Sequence, residues 1–167
     1  MNTGELLTDA VDRVQSVLGR ALSGLTDEQL ATRVGPAANT IGWLAWHLTR
    51  IQDDHVSAVA GVEQAWTADG WYDRFGVPFD PADHGYGHTG EQVGQVRVSA
   101  ELLRDYHDAV HDRTVAYLAT ITDADLDRVV DTSWDPPVTL GVRLVSVVSD
   151  DLQHAGQAAY VKGLLGS

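Results

Sequence analysis

The sequence predicts an all-α fold, a four-helix bundle with a long ordered loop between its second and third helices. Three observations carry this. Four segments of the 167-residue chain repeat apolar side chains at three- and four-residue steps, each is bounded by capping residues, and the longest interval between them is too rich in aromatics to be disordered. The chain has no cysteine, so no disulfide stands in for a core; a chain of ~150 residues buries roughly 70% of its unfolded surface without one.

Taken in order, Thr3 is the expected cap of a first helix carrying Leu6, Leu7, Val11, Val14, Leu18 and Leu22 on one face and ending at Gly24. Thr26-Asp27-Glu28-Gln29 has the form of a capping box and predicts a short turn. The second long helix starts at Asn39 or Thr40, runs through Trp43, Leu44, Leu48, Ile51, Val56 and Val59, and stops at Gly61. Residues 62–98 form the long loop, with Trp66, Trp71, Tyr72, Phe75, Phe79 and Tyr86 expected to pack over one end of the bundle. The third helix starts at Ser99 and carries Leu103, Tyr106, Val110, Tyr117 and Leu118 to about Ile121. A second ordered loop, 128–138, leads to a fourth helix capped by Thr139, with Leu144, Val147, Ala158, Val161 and Leu165 inward. Helices of roughly 20 residues are ~30 Å long, the dimension of a single small bundle over 1–167.

Composition removes several functions. With 24 acidic against 11 basic side chains the net charge is −13, the opposite of a surface that tracks nucleic-acid phosphates. Without cysteine there is no thiolate metal ligand and no cysteine nucleophile, so any thiol chemistry must import its sulfur. No stretch approaches the ~18 apolar residues of a membrane span and no leader is recognisable at the N-terminus; a cytoplasmic protein is expected.

The informative residues are polar ones that fall inside apolar stripes. On the second helix, His47 lies at the stripe's edge beside Asp54, with His55 near its middle. On the fourth, Arg143, Asp150, His154 and Gln157 share the stripe of Val147, Ala158 and Val161. Burying such groups costs several kcal/mol unless each is paired or bound to a cation. Asp150 and His154, four residues apart, lie on one helix face about one turn apart, the geometry of a hydrogen-bonded pair and equally of two ligands to one metal. His47, facing inward from a neighbouring helix, is the candidate third ligand. Such a set suits zinc foremost, with nickel, iron or manganese as the other divalent candidates.

Three further groups compete. His107 and His111 are also four apart and chemically a better metal couple, but the wheel puts His107 at the stripe's border and His111 beyond it, so a solvated face is expected. The run from His84 to His88 is read as a lid or substrate contact, and Arg113 as one half of an ion pair within the bundle.

The run Asn39-Thr-Ile-Gly-Trp-Leu-Ala-Trp-His-Leu48, with Asp150-Asp-Leu-Gln-His-Ala-Gly-Gln157 on the last helix, resembles the DinB-like metalloprotein superfamily. Within it, the chain is similar to the mycothiol S-transferase-like branch, related to the N-terminal domain of mycothiol-dependent maleylpyruvate isomerase. The resemblance implies a DinB-like four-helix bundle and a metal held by His47, Asp150 and His154. Asp150 departs from the pattern: many members have His at this position and the isomerase branch has Glu.

The resemblance further implies a metal-dependent thiol S-transferase. A low-molecular-weight thiol such as mycothiol would be activated for attack on an electrophilic small molecule, as in detoxification. Asp54, His55, Arg143 and Gln157 would support the metal ligands or contact the thiol and substrate. The competing readings are a hydrolase using a metal-activated water and a non-catalytic metal or small-molecule binding protein. Small-molecule partners, no nucleic acid and no membrane are expected, with the chain a monomer or homodimer.

Overall fold

The computed structural model describes residues 1–166. Its elements are α1 (Thr3–Leu22), α2 (Asp27–Leu30), α3 (Ile41–Ala60), α4 (Ala65–Ala68), α5 (Trp71–Phe75), α6 (Gly90–Val93), α7 (Ala100–Leu118), a 3-10 turn (Asp123–Asp127), β1 (Val129–Asp131), β2 (Val138–Thr139) and α8 (Leu140–Leu164). The four long helices are the predicted ones. The side chains of Thr40, Ser99 and Thr139 accept the N–H groups of Trp43, Leu102 and Val142, satisfying donors that each helix start leaves free. At α1 the cap is Asn2 rather than Thr3: Asn2 accepts from the Glu5 N–H while the Glu5 carboxylate returns to the Asn2 N–H. The Thr3 hydroxyl donates instead to Asp123. Gly61 ends α3 at φ 70°, a left-handed turn open to glycine without strain.

Cross-helix pairs give the directions. His47 meets His154 while His55 meets Arg143, so α3 and α8 are antiparallel. Asp12 meets His111 and Gln15 meets Asp108, so α1 and α7 are antiparallel. Thr49 meets His107 and Gln52 meets Thr114, so α3 and α7 run parallel. In the same way α1 and α8 are parallel: Leu7 and Val11 cluster with Leu140 and Leu144, and Lys162 donates to the Arg20 and Ser23 carbonyls.

A parallel pair cannot be joined by a tight turn. The chain leaving α3 must return the ~30 Å length of a 20-residue helix before α7 can begin. Residues 61–99 make this return along α3, which corrects the expectation that they cap one end. Asp53, near the C-terminal half of α3, accepts the Ala65 and Trp66 N–H groups (2.9 and 2.8 Å). Further back along α3, Trp46 packs on Phe79 and His47 meets the His84 carbonyl; a Cβ on Gly42 would stand 3.4 Å from the Val96 carbonyl. The crossover explains why α3 is buried nearly all round from Ile41 to Asp53 rather than along one stripe. It also explains Arg50, fully buried in an acidic protein. The Arg50 guanidinium donates to Gln64 (2.6 Å) and to the Pro81 and Asp83 carbonyls (both 3.3 Å), and it lies over the Trp66 ring.

Two other expectations are corrected. The interval 128–138 contains one strand of a small antiparallel hairpin, β1–β2, rather than loop alone. Arg113 is exposed, paired with Asp69 at 2.8 Å outside the bundle interior, because α4 and the turn after it lie beside α7 there. Among the described residues, no helix is long and apolar enough to cross a membrane.

Candidate metal centre

His47 from α3 and Asp150 and His154 from α8 converge where these antiparallel helices face each other. Each offers one ligand atom, and all these atoms lie within 4.8 Å of one another. Around a tetrahedral ion with bonds of ~2.0–2.2 Å the donor atoms stand roughly 3.3–3.6 Å apart, so the set closes on an ion by roughly an ångström of side-chain movement. His47 is 5% exposed, and Asp150 and His154 are half-buried at the edge of the bundle.

The imidazole tautomers follow from backbone contacts. His47 Nδ1–H donates to the His84 carbonyl at 2.5 Å, leaving the Nε2 lone pair for a cation. His154 Nδ1 stands 2.8 Å from the Asp150 carbonyl, which leaves its Nε2 free in the same way. Burial is the main cause that lowers the His47 pKa to about 4, so this imidazole is neutral and ligand-competent at physiological pH. For His154, burial opposes protonation, but the Asp150 backbone carbonyl and the charge of its carboxylate beside Nδ1 outweigh it and raise the pKa. Asp150 is held below the usual carboxylate range: burial pushes it up, and His154 and the neighbouring imidazoles more than reverse this. Asp150 Oδ2 has no hydrogen-bond donor in the protein, and His154 Nδ1 lies 3.3 Å from it. Two neutralisable imidazoles, one ionised carboxylate and an unsatisfied carboxylate oxygen fit a divalent cation.

The crossover builds the second half of the site, and sequence reading missed most of it. The Trp43 ring stacks on His47, centroids 4.6 Å apart and 9° from parallel, fixing the imidazole plane. The Trp43 indole N–H donates to His88 Nδ1 (3.1 Å), and His88 Nε2–H donates to Asp83 (2.9 Å). Asp83 also accepts the Gly85 N–H at 2.7 Å. His88 is therefore a clamp rather than a lid, and His84 acts through its backbone carbonyl. Gly85 sits between them at φ +94°; a Cβ there would stand 2.9 Å from both His47 Nδ1 and Trp46. The two glycines of the run His84-Gly-Tyr-Gly-His88 were the available signal, since close backbone approach is one reason for glycine.

The remaining candidates divide. Arg143 and His55 face each other at 3.4 Å, and Arg143 donates to Asp131 at 2.8 Å. They line a cavity of about 840 Å³ with Tyr86, Arg128, Trp134 and Ser146. His47, Asp150 and His154 do not line it; Ser146, which does, lies one helical turn before Asp150 on α8. Burial, then the Arg143 charge, lowers the His55 pKa and keeps it neutral. Asp54 instead accepts from Gln64 at 2.8 Å and secures the start of the crossover. Gln157 is exposed in a shallow groove with Asn39, Leu44 and Tyr160, not inward as the stripe suggested, because α8 turns this position past the edge of α3.

A second polar group lies deeper, and the sequence reading had it on the surface or not at all. His107 and His111 are 2% and 8% exposed. Each faces its own helix neighbour: His107 Nδ1–H donates to Thr49 (3.2 Å), whose hydroxyl is spent on Ala45, and His111 reaches Asp12 at 2.7 Å. With Gln52 and Thr114, which bond each other at 2.8 Å, they form a buried polar layer where α7 meets α3 and α1; Asp151, on α8, is fully buried as well. His107 Nε2, Gln52 Oε1 and both Asp151 carboxylate oxygens have no protein partner. Burial lowers the His107 pKa to about 3 and raises that of Asp151 well above the carboxylate range, so both sit neutral.

No curated protein matches the chain. A solved structure of a conserved protein from Enterococcus faecalis superposes with a TM-score of 0.93 at 32% identity, covering 100% of this chain and 99% of that one. The model of the Mycothiol-S-transferase family matches residues 6–166. On that span, and with a helical DinB-like fold of this topology, the chain belongs to the Mycothiol-S-transferase family.

Proposed function

We propose that the protein is a divalent-metal-dependent thiol S-transferase, with His47, Asp150 and His154 as the metal ligands. The observation that carries this is the convergence of those three ligand groups within 4.8 Å in a chain of the Mycothiol-S-transferase family, with a cavity lined by Ser146 one helical turn from Asp150. A divalent cation bound there, zinc foremost, would supply a position at which a low-molecular-weight thiol such as mycothiol ionises near neutral pH. Cysteine is absent from the chain, so the nucleophilic sulfur comes with that thiol.

The protein's own groups orient and screen. The His84 carbonyl and the Trp43 ring hold His47 with Nε2 toward the site, while Asp150 contributes the single negative charge among the ligands. The cavity lined by His55, Arg143, Arg128 and Trp134 holds the polar part of the thiol and the electrophile: the guanidinium groups donate to hydroxyl or carboxyl oxygens, and Trp134 and Tyr86 flank the mouth. Neutral His55, beside Arg143, is placed to accept a proton as a thiol binds.

Purified protein is expected to hold about one metal ion per chain and, with metal and mycothiol supplied, to convert a reactive electrophile into a sulfur-bearing conjugate detectable by mass spectrometry. Absence of metal in protein refolded with excess zinc would defeat the assignment of the site. A metal-loaded protein releasing product without sulfur would instead make it a hydrolase.

A further inference from the structure

The outer face of α8 differs from every other outer helix face of this molecule. Val142, Val145, Ser149, Leu152, Gly156 and Ala159 follow one another at alternating three- and four-residue steps, Gly163 continues the pattern, and all are exposed. This is the spacing of a helix that packs lengthwise against another helix. Tyr160 and Leu164 flank it, 69% and 55% exposed. The charged side chains and the histidine of α8, Arg143, Asp150, Asp151, His154 and Lys162, all lie on its other faces. By contrast, the exposed face of α1 carries Glu5, Asp9, Arg13 and Arg20, and that of α7 carries Glu101, Arg104, Asp105 and Asp112. Nothing within the monomer lies within 4 Å of a Cβ placed on Gly156, so this mid-helix glycine has a conformational cost and no packing role in one copy.

We propose that this face is the contact between two copies of the chain, packed α8 against α8 in antiparallel fashion about a twofold axis near Leu152. Charge selects the occupant. Two copies at −13 each repel over most of their surfaces, and a helix face without charge is where they approach at least cost. Shape selects the direction. The bulky residues, Val142 and Val145, stand in the first half of the stripe and the small ones, Gly156, Ala159 and Gly163, in the second. An isologous antiparallel pairing sets Val145 against Ala159 and Val142 against Gly163, bulk into gap, with Leu152 beside its own copy. A seam ~30 Å long and about one helix wide, with its flanking side chains, covers on the order of 1,000 Å² in total. That is the size of a reversible dimer rather than an obligate one.

Sedimentation equilibrium is expected to show a monomer–dimer equilibrium in the micromolar range that 1 M NaCl does not weaken, as an uncharged seam requires. Leu152→Asp, which sets two carboxylates beside the axis, should weaken dimerisation at least 100-fold while circular dichroism and thermal midpoint stay unchanged, since the side chain is exposed. Leu6→Asp, at an exposed leucine on α1, should leave it within twofold. Because the chain lacks cysteine, orientation is readable directly: Val145→Cys mixed with Ala159→Cys should cross-link on mild oxidation, and neither should cross-link to itself. A monomer at 1 mM, a dimer indifferent to Leu152→Asp, or self-cross-linking of Val145→Cys overturns the proposal.

Discussion

Two histidine–carboxylate groups lie in this bundle, and they are chemically alike but physically opposite. At the edge, His47, Asp150 and His154 are partly open to solvent, Asp150 is ionised, and both imidazoles turn a nitrogen to one point because backbone carbonyls occupy the other. In the middle, His107 and Asp151 are almost wholly buried and uncharged, and His107 and His111 turn to different neighbours, Thr49 and Asp12. Asp150 and Asp151 are adjacent in the chain, yet about 100° of helix rotation gives one a charge and a place among the candidate metal ligands and the other a proton. Residue type therefore says little about a site; convergence, and enough solvent to keep a carboxylate ionised, say more.

The largest contrast should come from exchanging substitutions between the two groups. His47→Ala or His154→Ala should lower metal affinity by at least 100-fold in isothermal titration, whereas His107→Ala should leave it unchanged and lower stability instead. Metal binding lost equally in all three would erase the distinction. A smaller effect is expected at Gly85→Ala, whose methyl group would displace His47 or the His84 carbonyl; loss of that supporting contact should cost 10–100-fold in metal affinity with the fold retained.

The deep layer should show itself in pH dependence. His107 titrates at about 3 when folded and near 6.5 when unfolded. Between those values only the unfolded state takes up the proton, so stability falls as pH is lowered, by about 2 kcal/mol at pH 5. The difference in unfolding free energy between metal-free wild type and His107→Gln, read from urea titrations, should narrow by that amount between pH 7.5 and 5. Asp151 runs the other way: its raised pKa means the folded state keeps a proton that the unfolded chain releases above about 3.9, so it destabilises increasingly as pH rises. Asp151→Asn should therefore raise the stability, and by more at pH 8 than at pH 5; an equal gain at both pH values would show that protonation is not its cost.

Much of the helical framework was legible locally. Thr40, Ser99 and Thr139 bond backbone donors three residues away, and Gly61 closes α3 by its own torsion angle, so each signal is complete within a few residues. His47, Asp150 and His154 were legible as interruptions of apolar stripes, together with the family-like motifs around them. Asp83, Gly85 and His88 were not, because their role exists only once the crossover lies back on Trp43 and His47. Arg113 and Gln157 were misplaced for a related reason: a helical wheel gives a direction but not which neighbour, or whether any neighbour, stands there.

By itself the sequence determined the four helices, most of their caps, the lack of any internal sulfur nucleophile and the nitrogen and oxygen character of any ligand set, since all of these depend on residue type and short-range spacing. Tertiary structure alone decided that α3 and α7 run parallel, and with it the rest. A parallel pair forces a crossover of helix length, and the crossover buries α3 all round and brings the His84 carbonyl to His47. That one backbone contact, made across 37 residues of chain, orients the imidazole that local patterning could only nominate.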